Sequence, residues 1–458
     1  MDCFQRRKSG RFAAVFRAAV DRVQPDCRLG IQTVFSHWQY DGADYKPIIE
    51  ALAGTGRRPV GVRPGAAYYV EDTPRNMLVK VLGAGEEAAR CRQYGLVGQL
   101  CYEAENWPHV SAQKSPESQM IECASALASG MDSLALYWGS DKNAESYENY
   151  DFYFENLARY KPFFQAIVHA TANTRLAGGA IYHGSNRFAG ANWCSKADED
   201  ELFLMTNALP IVRESSIKSF LILNRRAVEE LSEKDLQEVF SGTVLMDTEA
   251  FQLLAERFPQ LTFTSAIRIK NADGVSLAAG GEAFYECFEN KYHALDFKNV
   301  IYPQTDAVQV FSSFSHDQSA AGICTVPADF GGTVVITQYL NGRIWNGYRR
   351  KKTLDALDSA IPGGMPVRLM TDGFAVNIVA HCDCSSGKTA GAFLLNLSIG
   401  STPQLELAIR NPAFAEYQLI TQGEEPVKLS DVSGNAAEKR FIIPPLRGWQ
   451  PALIAGIK

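Results

Sequence analysis

Long hydrophobic runs are missing from this chain: none of its apolar stretches reaches the roughly 20 residues that a bilayer-spanning helix needs. The opening MDCFQRRKSGRF carries charge but no apolar segment, so no signal peptide is expected. Concentrated positive charge is also scarce. The formal net charge is −6, and Arg349, Arg350, Lys351 and Lys352 form the one dense basic patch, read as a solvated helix start or loop. Nucleic-acid binding needs cations clustered on one face, so no nucleic-acid partner is expected, and no membrane partner either. The ten cysteines follow no short-period framework, and a chain of 458 residues needs no disulfide staples. Reduced thiols and a cytoplasmic setting are the expectation. Cys382 and Cys384 in HCDCSSGK, beside His381, would point the same way on a strand and could share a metal. With no second ligand pair near them, two strand thiols before a turn are the better reading, and no metal is expected.

What the chain has is an ordinary globular composition, 46% hydrophobic and 21% charged, and length for about two to four domains. A helix comes first: in GRFAAVFRAAVDRV, Phe12, Val15, Phe16, Ala19, Val20 and Val23 recur at helical spacing and leave one polar face. Four short apolar runs follow, RLGIQTVF, RPVGV, GLVGQLCY and DSLALYW, spaced about 30 to 40 residues apart, the length of a strand, a loop and a helix. Such alternation predicts a parallel sheet covered by helices. Polar and aromatic residues gather after each strand, in SHWQYDG, RPGAAYY, EAENWPH and WGSDKN, and in barrels of this kind that face holds the active site. Residues 1–157 therefore read as the second half of a (β/α)8 barrel whose first four strands are not in this sequence, a smaller open sheet being the alternative.

A second α/β region, 158–360, follows, with RLAGGAIYHG, ELFLMTNALP, SFLILN, GTVLMD and GTVVITQYL as predicted strands. RRAVEELSEKDLQEVFSG and DTEAFQLLAERF are its predicted helices, and residues from about 270 to 315 read as an insertion. Residues 361–458 change texture to short alternating strands between turn clusters, the pattern of an antiparallel β-sandwich.

The third early strand ends on Glu103 and Glu105. With a period of two they share one side of the sheet. A retaining glycosidase sets a nucleophilic carboxylate and an acid/base carboxylate on opposite sides of the scissile bond, which two acids on one strand do not do. One of the two is read as a nucleophile and the other as its hydrogen-bonding neighbour; two solvated strand-end acids are the plainer alternative. Trp38, Tyr40, Tyr68, Tyr69, Trp107 and Trp138 fall after successive strands, where flat amphipathic rings suit sugar faces, although loop packing accounts for some of them. His37 and Arg63 stand where they could donate to hydroxyls or to a carboxylate.

Half barrel, flavodoxin-like domain and β-sandwich in this order resemble the β-galactosidases of glycoside hydrolase family 42. Glu105-Asn106-Trp107-Pro108 is similar to the E-x-x-P stretch after the nucleophile of that family, with Asn106 where the family has Gln. The resemblance implies Glu105 as nucleophile with Glu103 as fallback, Trp138 lining the site, and a carbohydrate substrate without a cofactor. SGTVLMDTEAFQLLAERF resembles part of the family's trimerisation domain, which implies a homo-oligomer, a trimer. The family's acid/base Glu lies upstream of the helix that opens this sequence, so no residue here inherits that role. CFQRRKSGR resembles the region just after it, where related proteins carry a zinc-binding cysteine cluster; only Cys3 stands here. The middle region also resembles class I glutamine amidotransferases in fold. Its nearest match to their nucleophile elbow, AGICTV, keeps Gly322 and Cys324 but has Val326 in place of the last Gly, so no activity is expected there. The leading expectation is a retaining β-galactosidase-like hydrolase. A non-catalytic sugar-binding or assembly protein is the alternative, and an amidotransferase comes third.

Overall fold

The computed structural model describes residues 2–34, 45–65, 74–92, 94–105, 114–137, 150–182, 199–212, 217–271, 285–288, 292–294, 297–315, 317–340, 347–371 and 375–457. Its first unit runs α1 (Asp2–Val23), β1 (Gly30–Val34), α2 (Tyr45–Ala53), β2 (Val60–Gly65), α3 (Pro74–Arg92), β3 (Val97–Glu105), α4 (Pro116–Ala128), β4 (Ser133–Tyr137) and α5 (Tyr150–Thr171). The four strands are parallel and lie in chain order, β1-β2-β3-β4. That is the arrangement consecutive βα units make in a barrel, where each crossover advances one strand in the same sense. Among the described residues, the outer edges of β1 and β4 carry no further strand.

The sheet's helix-covered face is apolar: Val60 and Val62 of β2 and Leu100, Tyr102 and Ala104 of β3 are buried against the helices. Helix α4 explains itself locally. Ser115 caps it, its Oγ accepting from Ser118 N at 3.1 Å, Pro116 occupies the first turn, and Gly130 just past its end takes φ +93°. Helix α1 departs from the sequence expectation. Its apolar stripe does not face a core: Phe12, Val15, Phe16 and Val23 are 76%, 68%, 49% and 87% exposed, while Ala13 and Arg17 are the buried positions.

The second unit runs β5 (Thr174–Ile181), α6 (Glu199–Thr206), β6 (Ile217–Leu223), α7 (Arg225–Glu230), α8 (Leu236–Phe240), β7 (Thr243–Asp247), α9 (Thr248–Arg257), β8 (Ile267–Asn271), β9 (Glu286–Phe288), β10 (Tyr292–Ala294), β11 (Asn299–Pro303), β12 (Gln309–Phe314), β13 (Asp317–Pro327), β14 (Thr333–Thr337) and α10 (Gly347–Ala360). ELFLMTNALP, expected as a strand, begins as α6; its apolar residues form a continuous run, which has no period to separate helix from strand. The long helix expected over 225–242 is broken at Leu231 and Ser232, whose backbones are extended. The terminal strands are β15 (Val367–Leu369), β16 (Val376–Asp383), β17 (Thr389–Asn396), β18 (Leu405–Arg410), β19 (Tyr417–Thr421), β20 (Val427–Leu429), β21 (Glu438–Ile443) and β22 (Pro451–Gly456).

Parallel strands β5, β6, β7 and β14 also lie in chain order, so the reversal that marks a flavodoxin-like sheet is not seen among them. On the free side of β5 lies antiparallel β16, with Ala177 opposite Ala380. Through that pairing one continuous sheet runs from β10 in the 270–315 region, across the parallel strands, and on to β17, β22, β19 and β20. The sandwich is formed where β15-β18-β21 covers the far end of this sheet, around Ile378, Leu394, Leu407, Tyr417 and Phe441. Residues from Ile49 and Tyr102 in the first unit to Phe393 and Leu453 at the far end belong to one buried apolar cluster, so the first unit is joined to the rest by core packing.

Candidate functional site

Strand β3 alternates: Leu100, Tyr102 and Ala104 point into the helix layer, which sends Glu103 and Glu105 to the other, open face. Four parallel strands put their carboxyl ends along one edge, so residues late in β1, β2 and β4 stand beside this pair. Gln32 of β1 is in register with Arg63 of β2, and Glu105 is in register with Tyr137 of β4.

Gln32 ties the group together. Its Nε2 donates to both carboxylate oxygens of Glu103, at 2.9 and 3.1 Å, while its Oε1 accepts from Arg63. Arg63 also reaches Glu103 Oε1 directly at 3.1 Å. Glu103 is thereby fixed by donors from two neighbouring strands, with 14% of its side chain exposed against 39% for Arg63. Burial pushes the Glu103 carboxyl above the ordinary range; Arg63 pulls it down, the Glu105 charge pushes it up, and Gln32 and Lys80 pull it down. The Glu105 carboxylate makes no hydrogen bond or ion pair with another described residue, and Glu105 is half-buried.

Directly behind, inside the helix layer, lies a buried charge cluster. Glu122 of α4 is fully buried; Tyr102 donates to its Oε1 at 2.7 Å, Lys80 of α3 lies 3.0 Å from Oε1, and Lys114 lies 2.6 Å from Oε2. Burial alone would raise the Glu122 carboxyl, but the Lys114 and Lys80 ammonium groups overcome it and hold the carboxyl well below its usual range. Lys114 also donates to the backbone oxygen of Glu105 at 2.7 Å, and Tyr153 donates to the backbone oxygen of Lys114 at 3.0 Å. The cluster thus anchors the end of β3 from which Glu105 projects.

Of the residues singled out in the sequence, Glu103, Glu105 and Arg63 come together on one face. His37, Trp38, Tyr40, Tyr68, Tyr69, Trp107 and Trp138 lie outside the described residues. Sequence reasoning passed over Gln32, Tyr137, Lys114 and Glu122. The signals were there: a Gln inside the apolar run GIQTV, and a Glu amid MIECASALA, the apolar centre of a helix.

The two cysteine motifs resolve differently from their sequence patterns. Cys382 is buried, its Sγ 4.0 Å from Thr389 Oγ1, whereas Cys384 is exposed just beyond the end of β16, so the two do not share a face. Cys324 lies within strand β13, fully buried, its thiol pushed up to about 12 by burial, whereas a nucleophile elbow needs a sharp strand-to-helix turn and an accessible side chain. No group of His, Cys, Asp and Glu that could hold a metal occurs among the described residues, and no helix among them is long and apolar enough to cross a membrane.

No family profile matches this chain, and no curated protein matches it. Among solved structures, a rhamnosidase from Novosphingobium sp. PP1Y is similar to it at 13% identity and a TM-score of 0.45, over 90% of this chain and 38% of that one. An exo-β-1,4-mannosidase, Op5Man5 from Opitutaceae bacterium strain TAV5, is similar at 10% identity and a TM-score of 0.34, over 72% of this chain and 64% of that one. The chain spans less than two thirds of the length of either, and both of these structural neighbours are glycoside hydrolases.

Proposed function

We propose that the chain carries the nucleophile half of a retaining glycoside hydrolase of β-galactosidase type, a member of the family it resembles. The observation that carries the reading is the pairing of Glu103 and Glu105 on the open face at the carboxyl ends of four parallel strands, with Arg63 and Gln32 holding Glu103. Glu105 is the nucleophile: its carboxylate attacks the anomeric carbon, the glycosidic C–O bond breaks, and a covalent glycosyl-enzyme forms. Glu103, its lone pairs engaged by Gln32 and Arg63, is the positioning neighbour. Protonation of the leaving oxygen and activation of water fall to a second carboxylate reaching the site from outside this chain's strands, and no cofactor takes part. His37, Trp38, Tyr68, Trp107 and Trp138 supply the sugar-binding walls.

The same reading makes the region 158–360 a subunit contact within a homotrimer. The eight free cysteines among the described residues accord with a cytoplasmic protein.

Incubation with 2-deoxy-2-fluoro-β-galactosyl fluoride, followed by intact-mass measurement and peptide mapping, tests the proposal. Fluoride departs without protonation, so only the nucleophile is probed. An adduct on Glu105 is expected; one on Glu103 reassigns the nucleophile within the same class. No adduct overturns the catalytic reading in favour of a sugar-binding protein.

A further inference from the structure

Away from the strand ends, a cleft of about 560 Å³ separates the start of α4 and the middle of α5 from the turns that follow β17, β19 and β21. On its first wall, Glu117 accepts from Arg159 and from the hydroxyl of Tyr160. On the opposite wall stand Gln422, Arg447 and Trp449.

Trp449 is held in an uncommon way. Its φ is +61°, the left-handed region that a bulky side chain avoids, and such strain persists only where the surroundings enforce it. Here they do. Fully buried Asn396 donates through Nδ2 to the backbone oxygens of Gly400, Leu446 and Arg447 at 2.8, 3.0 and 2.9 Å. Arg447 N donates to Gln450 Oε1 at 2.8 Å. Gly448 packs so closely on the Ile399 turn that a Cβ there would lie 2.2 Å from the Ile399 oxygen. The indole Nε1 of Trp449 is buried without a hydrogen-bond partner among the described residues.

We propose that this cleft is a second, non-catalytic glycan site that takes a neutral mono- or disaccharide. Trp449 is the apolar platform for the C–H face of a sugar ring, and the planar groups of Glu117, Arg159, Gln422 and Arg447 meet its hydroxyls. One aromatic surface among several planar donors and acceptors fits a polyhydroxylated ring better than a hydrocarbon. Each arginine at the cleft already faces a carboxylate, Arg159 that of Glu117 and Arg447 that of Glu424 at 3.9 Å, so no cation is set aside for a charged ligand. The class of ligand rests in part on the glycosidase reading, so the test separates the two.

Isothermal titration with β-1,4-galactobiose, repeated with cellobiose, is made on the full chain carrying Glu103→Gln and Glu105→Gln. Saturable binding of either sugar is expected, weakened at least about tenfold by Trp449→Gly and by Arg159→Ala, and kept within about threefold by Trp449→Phe. Glycine is at ease at positive φ, and Arg159 is 53% exposed, so thermal scans of both variants show whether the fold is kept. A titration that Trp449→Gly and Arg159→Ala leave unchanged in folded protein overturns the proposal, as does the absence of saturable binding of both sugars. A chain that takes no fluoride-released label yet binds at Trp449 refutes the catalytic reading alone.

Discussion

Both sheets end parallel strands on acids, and the two ends are built in opposite ways. At the end of β7, Asp247 turns toward the helix that follows: its Oδ1 accepts from Ala250 N at 2.8 Å and caps α9. It is half-buried, with Asp200 close by and Asn224 donating to Asp200 at 2.8 Å. At the end of β3, Glu103 and Glu105 turn away from the helices onto the other face of the sheet, and the donors to Glu103 come from β1 and β2. A strand-end acid that caps the next helix is occupied by folding. One that faces away from it is available for chemistry, and the burial of charge beneath β3 serves to hold that end still.

The sharpest way to break the contrast is Glu105→Gln, expected to abolish labelling by the fluoro-sugar and to lower turnover of an activated aryl galactoside at least about 10⁴-fold, with thermal stability unchanged. Next is Glu122→Gln. It removes the carboxylate between the buried Lys80 and Lys114 ammonium groups and is expected to cost about 3–5 kcal/mol in chemical denaturation, with the end of β3 loosened in hydrogen exchange. Because the Glu122 carboxyl is depressed, its contribution is present at neutral pH and lost as pH falls below the ordinary carboxylate range.

Asp247→Asn should act in the reverse direction. Burial and the Asp200 charge lift the Asp247 carboxyl to about 6, so its ionised form is the disfavoured one: stability is full at pH 4 and lost as pH rises through about 6. Asn keeps the cap without the charge. The variant is expected to match the parent at pH 4 and to exceed it by on the order of 1 kcal/mol at pH 8, read from denaturation midpoints. The smallest effect is expected from Arg63→Ala. It removes the cation that pulls the Glu103 carboxyl down, so the Glu103 titration followed by carboxyl NMR should move to higher pH, with a change in labelling rate of about tenfold or less at neutral pH.

The part of this contrast legible in the sequence was the part with a period. The alternation of β3 put Glu103 and Glu105 on one side, and the spacing of the early strands predicted that they run parallel, though not their order in the sheet. Arg63 was found because it follows an apolar run. Gln32 was not, because a single polar residue within a short strand carries no periodic mark, and its role depends on Glu103, which lies 71 residues away. Phe12, Val15 and Phe16 form a helical stripe, but periodicity tells which residues share a face and not whether anything covers it. ELFLMTNALP had no period at all and was assigned to the wrong element. The union of the parallel strands with the sandwich through β5 and β16 left no local trace, since backbone pairing between Ala177 and Ala380 is indifferent to side-chain type.

That last pairing has a consequence for synthesis on the ribosome. Strand β5 is synthesised about 200 residues before β16, an interval of roughly 10 to 40 s at ordinary elongation rates. Throughout it, one margin of the parallel strands stays unzipped, its amides and carbonyls offered to any passing extended chain. Production in cells should therefore respond strongly to holdase chaperones and to slowed translation upstream of β16, and a chain stopped before Val376 should aggregate, with the part of the shared core around Phe393 and Leu453 still unmade.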